Sequence, residues 1–503
     1  MNILLATSEA VPFAKTGGLA DVSAALPVEL ARLGHAPVVM LPAYSQAMTC
    51  GQPIEPTGVE LSIPIGSKMV EGTLLKSKLP GSQVPVYLVR QDDYYQRADL
   101  YGSGGVDYVD NCERFVFFCR SVLEAVRLLH LDIDILHAND WQTGLVPAYL
   151  KAEYRGVPGY EGIASLLTIH NLAFQGVFWH WDMLLTGLDW KYFNWHQMEF
   201  YGKLNLMKTG LVFADSINTV SPRYAEEIQS APLGCGLEGV LQQRREVLSG
   251  IINGVDYDVW NPAIDQHLPA RYDAATFARG KAACKAALQA ELGLPVQPRV
   301  PLVGLVGRLT DQKGLDLVAG VVQDWVRSAE VQWAILGMGE PKYHQLFTTL
   351  SERFGQKLAA RLMFSEELAH RIEGGADMFL MPSRFEPCGL SQLYSMKYGC
   401  VPVVRATGGL ADTVVDATRE TLADGTATGF SFREYETLAL AETLRRALDA
   451  YNQPEAWPRL VETGMRQDWS WAKSAQQYVS LYKRTIARAT SSRRQVAGPP
   501  AAR

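Results

Sequence analysis

Short apolar runs recur along the whole chain, each closed by glycine or polar residues and each followed by a stretch with helical spacing. The first covers residues 2–7, and similar runs lie at 37–41, 84–89, 133–137, 165–169 and 216–220. Unbroken apolar runs of this length predict buried parallel strands. Between them, residues 22–33 and 114–129 predict amphipathic helices, the first ending at Gly34. Residues 50–90 read as shorter strands and turns. After Ile251-Ile252-Asn253-Gly254-Val255-Asp256 a second alternation begins, with strands predicted at 303–306, 331–336, 361–364, 378–381 and 401–404. Strand and helix thus alternate, with polar residues collected at strand ends. That is the α/β pattern of doubly wound, Rossmann-like sheets. Residues 469–484 predict an amphipathic helix, and the Ser-, Arg-, Pro- and Ala-rich segment after Ala487 predicts a disordered tail.

Composition narrows the class. A chain of 503 residues suits two α/β domains better than one core, and 48% hydrophobic with 20% charged residues is ordinary for a soluble protein. The net charge of −6 argues against nucleic acid as a partner and suits a neutral polymer or small ligand. Seven scattered cysteines, odd in number and without a CxxC pair, predict reduced thiols and a cytoplasmic protein. The N-terminus runs straight into a strand, with no signal peptide. No apolar run approaches the roughly 20 residues of a membrane span.

The chemistry gathers at strand ends. The run 378–381 stops at Pro382 and gives way to Ser383-Arg384-Phe385-Glu386-Pro387, after which Cys388 and Gly389 open a helix that stops at Gly399. The next strand feeds Thr407-Gly408-Gly409 and another helix. Two successive strand ends therefore deliver helix N-termini to one sheet edge, where open α/β sheets bind ligands and where free N–H groups favour phosphate. A carboxylate beside an anion site is awkward, so Glu386 reads as functional rather than as a capping acid. The hexamer Thr16-Gly17-Gly18-Leu19-Ala20-Asp21 recurs as Thr407-Gly408-Gly409-Leu410-Ala411-Asp412, each copy after a strand and opening a helix. The first copy carries Lys15 ahead of it, a point charge available to a phosphate. Arg308 and Lys313 share one loop between Gly307 and Gly314, and two cations there would neutralise a diphosphate leaving group without a metal. His170, and His137 with Asp140, leave their strands at the same edge. Asp132 and Asp134 spell a DxD, but they precede their strand and so lie at the wrong edge. Gly337-Met338-Gly339 lacks the third glycine and acidic residue of a dinucleotide fingerprint.

The stretches 15–22, 308–314 and 382–390, with the second copy of the hexamer, resemble the bacterial glycogen synthase family, shared with plant starch synthases, over residues 1–485. The resemblance implies the GT-B fold, two Rossmann-like domains facing across a deep cleft. Residues 1–250 would be the acceptor side and 251–468 the nucleotide-sugar donor side. Residues 469–486 would form a helix crossing back to the N-terminal domain, and 487–503 the disordered tail. The implied reaction is retaining transfer of glucose from ADP-glucose to the non-reducing-end 4-OH of an α-1,4-glucan such as glycogen, with no metal or cofactor. By motif, Lys15 and Gly18 contact donor phosphates, Arg308 and Lys313 hold the diphosphate, and Glu386 is the essential acid. Cys388, Gly389, Leu390 and Ser391 line the donor pocket, and His170 and Asp140 face the transferred glucose. Glu9, Tyr101 and Asn253 are further acceptor or cleft contacts, and Asp21 and Asn171 complete the expected substrate contacts. The family often has a Tyr that stacks on the nucleotide base before the helix carrying His370-Arg371; this chain has Phe364 there. The second Glu of many retaining GT-B enzymes is here Tyr394, so no residue stands out as a nucleophile. Same-face attack, with the leaving phosphate taking the acceptor's proton, is the expected route to retention, a covalent sugar-enzyme step being the other. A UDP-glucose, sucrose or trehalose-type transferase remains the alternative, followed by a non-catalytic sugar-binding protein.

Overall fold

The computed structural model describes residues 1–497. The chain forms two compact units. Unit 1 holds residues 1–220, 225–251 and, of the described chain, 471–497; unit 2 holds residues 221–224 and 252–470.

Among the described residues, unit 1 is built on a nine-stranded sheet. Its strands are β1 (Asn2–Ala6), β2 (Ala36–Pro42), β3 (Glu55–Ile65), β4 (Lys68–Lys78), β5 (Pro85–Arg90), β6 (Ile135–Asn139), β7 (Ala164–Ile169), β8 (Ser216–Thr219) and β9 (Leu248–Gly250). They lie in the order β9-β8-β7-β6-β1-β2-β5-β4-β3. From β9 to β5 every pair is parallel, and β4 and β3 add an antiparallel edge. The parallel strands are buried along both faces, which is why they read as unbroken apolar runs. The two edge strands span eleven residues each, longer than the short strands predicted for residues 50–90. Their residues alternate between exposed and covered, so they lack the apolar run that announces the others. The strand expected at 133–137 sits at Ile135–Asn139, because the residues before it turn back to β1: the Asp134 carboxylate accepts from Asn2 N at 2.8 Å. The Asp132–Asp134 pair therefore ties together the N-terminal ends of the strands.

Unit 2 carries a six-stranded, wholly parallel sheet: β10 (Leu302–Val306), β11 (Gln332–Leu336), β12 (Leu358–Arg361), β13 (Met378–Met381), β14 (Val401–Arg405) and β15 (Phe430–Phe432), in the order β12-β11-β10-β13-β14-β15. Alternate residues enter separate cores: Val303, Trp333, Leu380 and Val403 on one face, and Leu302, Ala334, Phe379 and Val404 on the other. The strand expected at 361–364 lies earlier, because Leu358 and Ala359 are the buried partners of Trp333 and Ala334.

Helix boundaries differ in three places. The first helix starts at Gly18 rather than residue 22, taking in the glycine turn. The helix expected to open at Cys388 starts at Ser391, since Gly389 has φ +70, outside the helical region. The last helix runs from Trp471 to Ala497, so residues 487–497 are helical where a disordered tail was expected. Ala and Arg favour helix, and the segment is anchored: Arg488 Nη1 donates to Ser216 Oγ at 2.7 Å and Arg493 Nη2 to the Ile163 carbonyl at 2.6 Å. Residues 498–503 of the expected tail lie outside the described residues. Further up this helix, Tyr482 OH meets His137 Nδ1 at 2.9 Å and Tyr478 OH accepts from Asn218 at 3.2 Å. Trp469 stays in unit 2, where its carbonyl accepts from Val255 N at 2.7 Å.

Candidate functional site

In each sheet the strand order reverses once at the centre, between β1 and β6 in unit 1 and between β10 and β13 in unit 2. Loops leaving the carboxyl ends of such a pair diverge and leave room for a ligand. The chemical residues singled out above lie largely on these loops.

In unit 2 the Gly307–Gly314 segment follows β10 and the Pro382–Leu390 segment follows β13. The two loops run against each other. Arg384 N donates to the Gln312 carbonyl at 2.9 Å, and a Cβ at Gly314, φ +73, would overlap the Pro382 carbonyl oxygen. This approach brings Lys313 Nζ to 2.6 Å from Glu386 Oε2, which also accepts from Ser383 Oγ at 3.0 Å. Glu386 is 6% exposed. Arg308 extends to the surface and, among the described residues, makes one long contact to Gln312 Oε1, 3.4 Å. Glu386 is thus a buried carboxylate neutralised by a lysine that keeps a quarter of its own surface open.

Cys388 is buried, and burial pushes its thiol up to about 12, so it lines the loop as an apolar group. Gly389, Leu390 and Ser391 are half-buried beside it. Asn253 is also buried, and its Oδ1 has no hydrogen-bond partner among the described residues. Phe364 stands 79% exposed in the turn before the helix Glu366–Gly375. The second copy of the hexamer supports the Glu386 loop from behind. Gly408 has φ +44, and a Cβ there would overlap the Glu386 carbonyl; one at Gly409 would overlap that of Cys388. Gly409 N donates to the Glu386 carbonyl at 3.2 Å.

In unit 1 Glu9 leaves β1 and is 4% exposed. Its Oε2 accepts from Thr16 N at 2.6 Å and Gly17 N at 3.1 Å, while Oε1 accepts from Thr16 Oγ1 at 2.6 Å and Tyr101 OH at 2.7 Å. Glu9, expected with Tyr101 as an acceptor or cleft contact, holds the glycine turn through these bonds, and Tyr101 braces Glu9. Behind Tyr101, Asn111 Nδ2 donates to its carbonyl at 2.8 Å, and the fully buried Arg114 donates to Asn111 Oδ1 at 2.6 Å and to the Leu100 carbonyl at 2.9 Å. The turn itself, Lys15 to Gly18, is exposed, with Lys15 Nζ 2.8 Å from Asp21 Oδ1. Glu9 takes the N–H groups of Thr16 and Gly17, so Gly18 and Leu19 are the residues whose N–H groups project from the start of the helix.

Asp140 leaves β6 with φ +57, a left-handed conformation unusual for a residue with a side chain. Its Oδ1 accepts from His170 N at 2.7 Å. Burial pushes its carboxyl up to about 7, against the pull of the His170 and Asn171 backbone N–H groups and helped by the nearby charge of Glu9. The His170 ring is oriented by Asn139: its Nε2 lies 2.9 Å from Asn139 Oδ1, while Asn139 Nδ2 donates to the Ala6 carbonyl at 3.1 Å. Because Nε2 carries the proton in that arrangement, Nδ1 is the acceptor. Burial holds the imidazole down to about 3, so it is neutral at working pH. Asn171 Oδ1 accepts from Ala173 N at 3.1 Å, shaping the loop beside it. His137 faces inward within its strand, bonded to Thr168 and Tyr482, and serves the core.

Asn139, Ser383, Asn111 and Arg114 were not foreseen. Only Arg114 left a sign, a cation amid Phe115, Val116, Phe117 and Phe118 on a helix. Among the described residues no three His, Cys, Asp or Glu side chains group as a metal site. Also among the described residues, no helix is long and apolar enough to cross a membrane.

Comparison with known proteins assigns the chain. The starch synthase catalytic domain model matches residues 2–243 and the glycosyl transferases group 1 model matches residues 293–459. The chain is 48% identical over 497 residues to the glycogen synthase of Rhodopirellula baltica, covering 97% of this chain and 98% of that protein. It is 47% identical over 490 residues to the glycogen synthase of Anaeromyxobacter dehalogenans strain 2CP-1, covering 97% and 99%. This chain belongs to the glycogen and starch synthase family. It is a glycosyltransferase with the family's GT-B fold of two Rossmann-like domains. Among solved structures of the family, the catalytic domain of Arabidopsis thaliana starch synthase IV bound to ADP and acarbose superposes with TM-score 0.88 at 31% identity, covering 97% of this chain and 99% of that one. Sucrose-phosphate synthase of Thermosynechococcus elongatus, TM-score 0.57 at 17% identity over 97% and 99% of the two chains, shares the fold.

Proposed function

We propose that this enzyme transfers glucose, with retention, from ADP-glucose to the non-reducing-end 4-OH of an α-1,4-glucan and so elongates glycogen. The observation that carries the reading is the Lys313–Glu386 pair, 2.6 Å apart at the reversal point of the unit 2 sheet, with Arg308 on the same loop. Breaking the anomeric bond leaves positive charge on the sugar and negative charge on the diphosphate. Lys313 and Arg308 answer the second, with the Lys15 side chain and the Gly18 N–H as further donors. Glu386, held by Lys313 and Ser383, supplies negative charge for the first. The acceptor oxygen attacks C1 as the bond from C1 to the diphosphate oxygen breaks with its electron pair, and the acceptor's proton passes to that oxygen. Neutral His170 and Asp140 orient the transferred glucose, and Asn171 shapes their loop. Phe364 offers an exposed ring to the adenine. Asn253 Oδ1 is an unused acceptor for a donor hydroxyl, and Cys388, Gly389, Leu390 and Ser391 line the sugar's side of the pocket. Asp21 positions Lys15, and Glu9 and Tyr101 support the turn. In this scheme the leaving charge is met by side chains, without a cofactor. Seven cysteines, all unpaired, fit a reducing cytoplasm. The relatives' names and the ADP seen in the starch synthase structure support the donor and acceptor.

Initial rates with ADP-glucose and UDP-glucose on glycogen test the proposal. ADP-glucose should be the better donor, with glucose added through α-1,4 linkages. Preference for UDP-glucose, or for a small sugar acceptor, would instead place the enzyme with the UDP-glucose and sucrose-type transferases.

A further inference from the structure

The exposed tryptophans among the described residues all fall in one stretch of unit 1: Trp179 (63%), Trp181 (48%), Trp190 (42%) and Trp195 (67%). Aromatic rings of this size bury large apolar areas when they can, so a cluster left in water marks a contact surface. The backbone beneath is fixed. Lys208 Nζ donates to the carbonyls of Trp195 and Glu199 at 2.6 and 2.5 Å, and Asn205 Nδ2 donates to Gln175 Oε1 at 2.7 Å. The rings form a ridge, with Trp179 to Trp181 at 6.4 Å, Trp181 to Trp190 at 5.6 Å and Trp190 to Phe193 at 5.1 Å between centroids. The ridge is continuous with the site. Tyr101, which bonds Glu9, lies 6.5 Å from Trp141, and Trp141 lies 5.8 Å from Phe178, the neighbour of Trp179.

We infer that this ridge is a binding surface for the α-glucan acceptor, engaging glucose units away from the end being extended. The inference rests on the proposed function. A pyranose ring presents apolar C–H faces and a polar rim. It therefore suits rings set among hydrogen-bonding side chains, here His180, Asn194, His196 and Gln197. The nearby charges are of both signs, Asp182, Asp189 and Glu199 against Lys191 and Lys203, with Lys191 Nζ lying 3.3 Å from Asp189. A neutral polymer fits that surface better than a charged partner does. Holding a branch by several rings raises the local concentration of chain ends without changing the chemistry at any one of them.

The test uses the full-length enzyme, Trp179→Ala, and Trp179→Ala combined with Trp181→Ala. Native electrophoresis through glycogen-containing gel reads binding directly, and initial rates are taken with glycogen and with maltotriose. KM for glycogen should rise about tenfold in the double variant and retardation by glycogen should fall, while kcat, KM for ADP-glucose and the maltotriose rate hold. The single variant, at a ring 63% exposed, should give part of the shift even if the double variant folds poorly. Unchanged glycogen affinity in both overturns the inference. So does loss of an oligomer in light scattering with glycogen affinity intact, which would make the ridge a contact with a second copy. Retardation does not depend on turnover, so a wild-type enzyme that binds glycogen but fails to use ADP-glucose would sink the proposed reaction and leave the surface standing.

Discussion

Two copies of Thr-Gly-Gly-Leu-Ala-Asp each follow a parallel strand and open a helix, one beside the reversal point of its sheet and one a strand away from it, and they do different things. In unit 1, Lys15 to Gly18 are exposed, Gly17 is extended at φ −155, and a Cβ on Gly17 would meet nothing within 4 Å. The glycines there keep the surface open, and the turn is held from one side by Glu9. In unit 2, Thr407 to Leu410 are buried and both glycines admit the backbone that carries Glu386. The paired aspartates diverge too: Asp21 meets Lys15, whereas Asp412 accepts from Ser221 Oγ at 2.5 Å and Arg223 N at 3.0 Å within unit 2. The repeated motif thus opens a helix in both units without fixing one backbone shape, its second residue being extended at Gly17 and left-handed at Gly408, and its surroundings decide whether the turn stays open or meets a neighbouring loop.

The largest effect is expected from the loop that the second copy supports. Glu386→Gln and Lys313→Ala should each lower kcat by on the order of 10²-fold or more in steady-state assays. They should differ in stability. Lys313→Ala strands a buried carboxylate with Ser383 alone and should cost about 1–3 kcal/mol by urea denaturation, whereas Glu386→Gln should cost less. Equal midpoints for the two would mean the pair is not a neutralising one.

Next come the glycines. Gly408→Ala forces a side chain into a left-handed, occupied position and should destabilise by about 1–3 kcal/mol with loss of activity. Gly17→Ala should stay within about 0.5 kcal/mol of the wild type. If both variants melt alike, the distinction between open and buried copies fails.

A smaller effect should appear in pH dependence. With its carboxyl raised to about 7, Asp140 is mostly neutral below that pH and ionised above it. Its folded-state value exceeds its unfolded one, so its contribution to stability is full below about 4 and is lost as pH rises toward 7. If its charge aids the developing sugar cation, kcat should rise through pH 7, and Asp140→Asn should remove that inflection. His170, held down to about 3, should add none in this range. An inflection near 7 that survives Asp140→Asn but vanishes in His170→Ala would reverse the assignment.

The smallest change in stability is expected at Lys15. Its ion pair with Asp21 is exposed, so Lys15→Ala should cost under about 1 kcal/mol while KM for the donor rises. An unaltered KM would leave the first copy without a ligand role.

The sheet class and the strand ends were legible because parallel strands buried on both faces announce themselves as apolar runs, as residues 2–7 and 378–381 do. The edge strands Glu55–Ile65 and Lys68–Lys78 were legible only as shorter strands and turns, because their residues alternate and form no apolar run. Loop positions showed which residues could gather at each sheet edge, and Lys313 with Glu386 was readable in that sense. The roles of Glu9 and Tyr101 were not, since whether a carboxylate faces substrate or ties down a turn depends on contacts spanning about ninety residues. Arg114 left its sign as a cation among phenylalanines, but its partners did not: the carbonyls of Tyr94 and Leu100 are brought to it by folding, and the Asn111 amide lies one turn earlier on its own helix.

The last helix bears on how the chain is made. Residues 252–470 form one uninterrupted length with a core of their own, able to close as soon as they leave the ribosome. Unit 1 begins earlier and finishes later. The imidazole of His137 finds its partner in Tyr482, 345 residues downstream, and Asn218 finds Tyr478. The half that is synthesised first therefore completes its packing only after the half synthesised second has emerged. A nascent chain stopped before Trp471 has a finished second unit and an unfinished first one.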